Sequence, residues 1–267
     1  MSAPAPRPGI LDISPYVGGE AHAPGVDRLI RLASNEGALG PSPRAMEAYR
    51  QAAAELHRYP DGGSTALRDG LARLYGLDVS RIVCGTGSDE LLGLLTRAYA
   101  GPGDEVLYSA HGFLMYPISA KSVGATPVAA PEKGLKADVD ALLAHVTERT
   151  KILFIANPNN PTGSFLTADE MRRLHAGLPG HVVLVIDAAY AEYVDRPDYT
   201  AGSELVEEFG NVVMTRTFSK IYALGGLRLG WAYCPPAIAD VLNRVRQPFN
   251  VNSLALAAAC AALADVE

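Results

Sequence analysis

Cysteine is scarce in this chain, and no long apolar run is present. The three cysteines, Cys84, Cys234 and Cys260, are odd in number and far apart. That count argues against both a disulfide framework and a CxxC metal site, and it fits a reducing cytoplasm. The longest apolar run, LALAAACAALA at 254–264, is too short to cross a bilayer. The opening MSAPAPRPGILDI lacks the basic end and long apolar centre of a targeting signal, so no membrane is expected. Basic charge is also in deficit. With 23 Lys and Arg against 29 Asp and Glu, the net charge is -6, and a nucleic-acid surface, which needs clustered cations, is not expected. His22, His57, His111, His145, His175 and His181 show no HxxxH or HExxH spacing, so no metal site is expected.

What is present is the balance of an ordinary globular protein, 48% hydrophobic and 19% charged. A chain of 267 residues suffices for one large domain, or a domain with a smaller appendage. The first thirty or so residues, rich in Pro and Gly, read as an extended arm. Beyond them, helical stretches alternate with the short apolar runs RIVCG, EVLYS, KILFIA, VVLVID and NVVMT. This rhythm predicts an α/β fold, a three-layer α/β/α sandwich around a mostly parallel central sheet. STALRDGLARLYG predicts a helix capped by Ser64 and closed by Gly76, and Thr167 with Glu170 predicts a capping box. The alanine-rich final helix near 252–265 is apolar enough that an exposed face, and a tendency to associate, are expected of it.

Four stretches carry chemistry. In TFSKIYALGGLRLGW, residues 217–231, Lys220 follows the apolar run NVVMT, at the carboxyl edge where α/β sheets keep their ligands, and Arg228 lies eight positions on. In VVLVIDAAYAEY, Asp187 ends a buried strand and Tyr190 follows. A lone Asp there is more often a cap, but a buried carboxylate without partners is costly. ANPNNPTG, residues 156–163, must be a loop, since Pro158 and Pro161 lack donors; it reads as a simple turn or as a rigid holder for Asn160. In CGTGSDELLGLL, glycines precede a helix expected to start at Ser88, leaving the N–H groups of Gly87, Ser88 and Asp89 free for an anion. The dinucleotide pattern GxGxxG fails there because its sixth position is Glu90.

In this order and spacing, NPNNPTG, DAAY and SK with its later arginine resemble the fold-type I pyridoxal-phosphate aminotransferases, class I/II. The resemblance implies that Lys220 bonds the cofactor aldehyde and shuttles a proton, while Asp187 pairs with the pyridinium nitrogen. It implies that Asn160 and Tyr190 bond the phenolic oxygen, and that Phe113 stacks on the ring. The cofactor phosphate falls to Ser219, Arg228 and the N–H groups of Gly87, Ser88 and Asp89. ISPYVGG, SNEGALGPSP and HRYPDGGSTALRDGLA are similar to the histidinol-phosphate aminotransferase branch. That likeness implies a homodimer with shared sites, in which Tyr59 reaches the partner's cofactor phosphate and Tyr16 and Asn35 lie at the substrate. The implied partners are an amino donor, histidinol phosphate, and a 2-oxo acid acceptor, 2-oxoglutarate, in histidine biosynthesis.

Two departures stand out: Ala188 where the branch has the glutamate of DEAY, and NEGALG for NENPLG. An aromatic amino acid transaminase, a phospho-amino acid decarboxylase and an inactive cofactor-binding fragment are the alternatives. The implied organisation is an arm at 1–30 and a cofactor-binding large domain at 31–267. A small C-terminal domain, about a hundred residues that would supply a substrate-binding arginine, is expected to be missing, so weak turnover is expected of this chain.

Overall fold

The computed structural model describes residues 4–15, 25 and 32–265. In chain order the first elements are α1 (Pro43–Ala52), α2 (Thr65–Tyr75), β1 (Ile82–Gly85), α3 (Gly87–Tyr99), β2 (Glu105–Ser109) and α4 (Met115–Val123). Next come β3 (Thr126–Ala130), β4 (Glu132–Lys133), β5 (Lys136–Ala137), α5 (Val139–Ala144), β6 (Thr150–Ala156) and α6 (Ala168–Ala176). The chain continues through β7 (Val183–Asp187), α7 (Ser203–Glu208), β8 (Val212–Thr217), β9 (Gly230–Tyr233), α8 (Pro236–Val245) and α9 (Ser253–Leu263).

Seven strands form one sheet in the order β1-β9-β8-β7-β6-β2-β3. Only β9 runs against its neighbours, antiparallel to β1 and β8, so the sheet is mostly parallel as the sequence rhythm predicts. β4 and β5 make a separate hairpin. β3 and β9 carry weak strand signals: TPVAA is partly exposed at an edge, and GWAY begins with a glycine.

The apolar runs of the central strands are continuous because helices cover both faces of the sheet. In β7, Leu184 and Ile186 enter one core, packed with Leu67 of α2 and Met171 of α6. Val183 and Val185 enter the other, packed with Leu91 and Leu95 of α3 and Tyr116 of α4. Burying one such side chain contributes roughly 1.5–3 kcal/mol. Side chains alternate along a strand, so Asp187 falls on the α3 and α4 face with Val183 and Val185. Thr215 follows Val213 onto that face and stands in register with Asp187, as does Ala156 of β6. Strand periodicity thus delivers a carboxylate into the layer that holds the starts of α3 and α4.

The helix ends show which sequence signals were sufficient. Thr167 and Glu170 form the expected capping box of α6, and Gly76, with φ 68°, closes α2. The expected Ser64 cap is not formed. Ser64 adopts a left-handed conformation, φ 49°, and its side chain makes no cap bond. Asp61 takes over, accepting from Gly63 N at 2.8 Å and Thr65 N at 2.7 Å, and these backbone bonds hold its carboxyl below the usual range. α3 starts at Gly87, one residue before the expected Ser88.

The last helix also departs from expectation. α9 is capped by Asn252, whose side chain accepts from Ala255 N at 2.8 Å. Its small residues let α1 and α2 lie close, and no residue from 253 to 263 is exposed. The apolar face expected to lie open is covered. Of the arm, residues 4–15 lie against α4, where Lys121 Nζ donates to the Asp12 carbonyl at 3.1 Å and Arg7 donates to the Ser122 carbonyl. Tyr16 and the expected arm boundary at 30 lie outside the described residues.

Candidate active site

The carboxyl edge of the sheet opens into a cavity of ≈ 130 Å³. Five chain turns supply its walls. The loop after β8 brings Ser219 and Lys220, the loop after β6 brings Asn160, and the end of β7 brings Asp187 and Tyr190. The start of α3 supplies Ser88 and Asp89, and the turn before α4 supplies Phe113. Arg228 completes the ring of residues.

One end of the cavity is built for an anion. Thr86, at the N-cap of α3, makes no side-chain cap bond, and Ser88 and Asp89 of the first turn line the cavity at the positive end of the helix dipole. Arg228 closes over them, donating to Ser219 Oγ at 3.3 Å, the Gly225 carbonyl at 3.0 Å and Asp89 Oδ2 at 3.2 Å. Gly87 makes the approach possible. Its φ of 78° is left-handed, and a Cβ there would meet Arg228 Nη2 at 2.6 Å. Gly87 is therefore part of the cradle's geometry.

The other end is a buried carboxylate. Asp187 Oδ2 accepts from the Tyr116 hydroxyl at 3.0 Å, and Oδ1 accepts from Thr215 at 3.4 Å. Among the described residues no cation pairs with it. Burial pushes its carboxyl up to about 6, and the Asp89 charge adds to the rise, while the bonds from Tyr116, Thr215 and the Ala189 amide oppose it. A buried carboxylate of this kind is best satisfied by a ligand that brings a cationic N–H.

Between the ends lies Lys220. Its Nζ sits 5.4 Å from the Tyr190 ring centroid and donates to the Ser34 and Asn35 carbonyls, each at 3.3 Å. Asn35 Nδ2 donates to the Tyr190 hydroxyl at 2.9 Å. Segment 34–37 therefore crosses the cavity mouth, and Asn35 also lines an adjoining cavity with Glu36, Tyr190 and Tyr193. The departure at Gly37 has a steric counterpart, since a Cβ there would meet Ala223 Cβ at 2.4 Å. The Ala188 departure is buried beside the same strand ends, where its amide donates to the Thr215 carbonyl at 2.9 Å.

Among the described site residues singled out from sequence, only Tyr59 lies away from this edge. Tyr59 is 84% exposed and stacks on Phe249 with ring centroids 4.9 Å apart. Tyr16 is outside the described residues. Sequence reasoning missed Tyr116, Thr215 and the Ser34 carbonyl. Thr215 was legible in principle, because it is a polar residue on the inward parity of a buried strand. The Tyr116 contact depends on how α4 lies on the sheet.

Comparison with known proteins agrees with this architecture. A chain from Sinorhizobium meliloti, solved as histidinol-phosphate aminotransferase in complex with pyridoxal-5'-phosphate, superposes with a TM-score of 0.83 at 34% identity, covering 87% of this chain and 63% of that one. Thermus thermophilus aspartate aminotransferase shares the fold, with a TM-score of 0.79 at 22% identity over 88% of this chain and 64% of that one. The histidinol-phosphate aminotransferase of Rhodospirillum centenum is 69% identical over the whole of this chain, which spans 74% of that relative's length. That of Paramagnetospirillum magneticum is 69% identical over 99% of this chain and 73% of its own length. The family model for aminotransferase class I and II matches residues 27–267, nearly the full length, and the chain belongs to that family.

Proposed function

We propose that this chain is a pyridoxal-phosphate-dependent aminotransferase that moves the amino group of histidinol phosphate to 2-oxoglutarate, giving imidazole-acetol phosphate and glutamate. The observation that carries the cofactor is a cavity with an anion cradle at one end, an unpaired buried carboxylate at the other, and one lysine between. The donor set fits. A phosphate suits Arg228, Ser219 and the α3 amides, and a protonated ring nitrogen suits Asp187. When bound, the cofactor supplies an aldehyde carbon that takes an amine and a ring that withdraws electrons from it. The substrate is supported by relatives at 58–69% identity that carry the histidinol-phosphate aminotransferase name.

Each residue then has a task. Asp187 would accept the ring N–H and keep the ring cationic. Phe113 would cover a ring face, and Asn160 and Tyr190 would donate to the phenolic oxygen. Lys220 Nζ would take the proton from the donor's Cα as a general base and give it, as a general acid, to the carbon that came from the cofactor aldehyde. Asn35, at the mouth, contacts the substrate. Residues 31–267 act as the cofactor-binding domain.

The test is a panel of amine donors read by cofactor absorbance in the purified protein. Histidinol phosphate is expected to convert the bound cofactor to its amine form, and 2-oxoglutarate to restore it. A faster response to an aromatic amino acid, or release of carbon dioxide, would replace the substrate assignment.

Tyr59 serves the partner's site in this reading, which its exposed position outside the cavity supports. Neither a Tyr59→Ala nor a Lys220→Ala homodimer then has a complete site. Mixed subunits are expected to recover activity, up to about a quarter of the wild-type rate if they pair at random. Absence of recovery in proven heterodimers would place Tyr59 elsewhere.

A further inference from the structure

Tyr116 lies behind the cavity wall and not among the residues lining it. Its ring is fully buried, stacked on Phe154 at 4.8 Å with an interplanar angle of 6° and edge-on to Phe113 at 5.9 Å. Tyr116 N donates to the Phe113 carbonyl at 3.0 Å, so one backbone turn sets both rings. The hydroxyl is therefore held in place before any ligand arrives, with little rotamer freedom left to lose.

We propose that Tyr116 is a positioning residue, whose hydroxyl donates to Asp187 and holds that carboxylate charged and aimed at the cofactor ring; this rests on Asp187 serving a cationic ring nitrogen. A neutral phenol that donates to a carboxylate favours the ionised acid. The phenol itself stays protonated, because burial, followed by the charge and hydrogen bond of Asp187, raises its ionisation well above the ordinary tyrosine value. The surroundings of Asp187 leave few other supports. From α3, Asp89 opposes its charge, and the Asp89 carboxylate is itself held by Arg228 at 3.2 Å. From β8, Thr215 donates at the longer distance of 3.4 Å, and the Ala189 amide donates from the chain just past β7. Lys220, Tyr190 and Arg228 line the same cavity without bonding this carboxylate. Tyr116 Oη is thus the nearer of two side-chain donors on Asp187, and it belongs to a different helix from every other residue at that end.

The test uses Tyr116→Phe, which keeps the buried ring and removes the donor. Stability of the cofactor-free protein across pH 4–8, taken as the difference from Asp187→Asn in the same background, reads the ionisation of Asp187. The variant's midpoint is expected to lie about one pH unit above the wild type's, a tenfold change in the ionisation constant. Cofactor affinity at pH 8 is expected to weaken by about tenfold. Introduced into Asp187→Asn, the same change is expected to leave the cofactor affinity and the pH dependence of stability as they are, because there is no carboxylate left to act through. An unmoved midpoint overturns the proposal. So does an equal loss of affinity with Asn at 187, which assigns Tyr116 to packing alone. If the wild type itself bound no pyridoxal phosphate, the cofactor reading would fail, while the pH midpoint would still decide whether Tyr116 supports the charge.

Discussion

Replacing Lys220 by alanine is expected to abolish turnover, by at least about 10³-fold, and to eliminate the cofactor adduct that borohydride fixes to the protein. The sequence holds five lysines, and the structure leaves only one in position. Lys121 donates to the Asp12 carbonyl at 3.1 Å, Lys133 pairs with Asp138 at 2.6 Å, Lys136 with Glu170 at 2.7 Å, and Lys151 stands 3.9 Å from Asp104. None of these four lines the cavity. The anion cradle and Asp187 do not depend on the Lys220 amine, so the variant is expected to retain the cofactor by noncovalent contacts. Mass spectrometry of a reduced, digested sample checks the placement. An adduct on Lys121 or Lys151 would show that the cavity assigned here is not the reacting one.

Much of that cavity was legible in the sequence because its residues follow strand ends. A buried strand has to stop in a turn, and polar residues just beyond it, Asn160, Asp187, Tyr190 and Lys220, gather at one edge when the strands are parallel. The order of the motifs then identified the family. Contacts that depend on packing between elements were not legible. Nothing in FLMYPISA says that the second aromatic turns inward to Asp187, because the direction depends on how α4 lies on the sheet. The Ser64 cap failed for a local reason of the same kind, since Ser64 is left-handed and the carboxylate of Asp61 holds the turn instead, accepting from Gly63 N and Thr65 N. The last helix looked unpartnered because its partners, α1 and α2, are some two hundred residues earlier in the chain, beyond the reach of periodicity.

Asp187→Asn is expected to separate the two roles of that buried carboxylate, one in stability and one in catalysis. Burial raises the folded-state carboxyl from 3.8 to about 6, so folding favours its neutral form. The resulting stabilisation is complete below about pH 4 and is lost as pH rises through 6, amounting to about 3 kcal/mol between these limits. In the cofactor-free protein, denaturation midpoints measured from pH 4 to 8 should therefore fall with rising pH for this group. Asparagine cannot ionise. The variant is expected to lack this fall, and at pH 8 to be more stable than the wild type by up to about 3 kcal/mol without cofactor. With cofactor the order reverses, because a cationic ring nitrogen pairs with the charged aspartate and removes the penalty, whereas an amide leaves the ring without its counter-charge. Turnover is expected to drop by about 10²–10³-fold, with the loss in kcat, since the missing charge acts on the proton transfer at Cα more than on substrate binding. A variant with near-normal kcat, or one whose cofactor-free stability still falls across pH 4–6 as the wild type's does, would remove Asp187 from both roles.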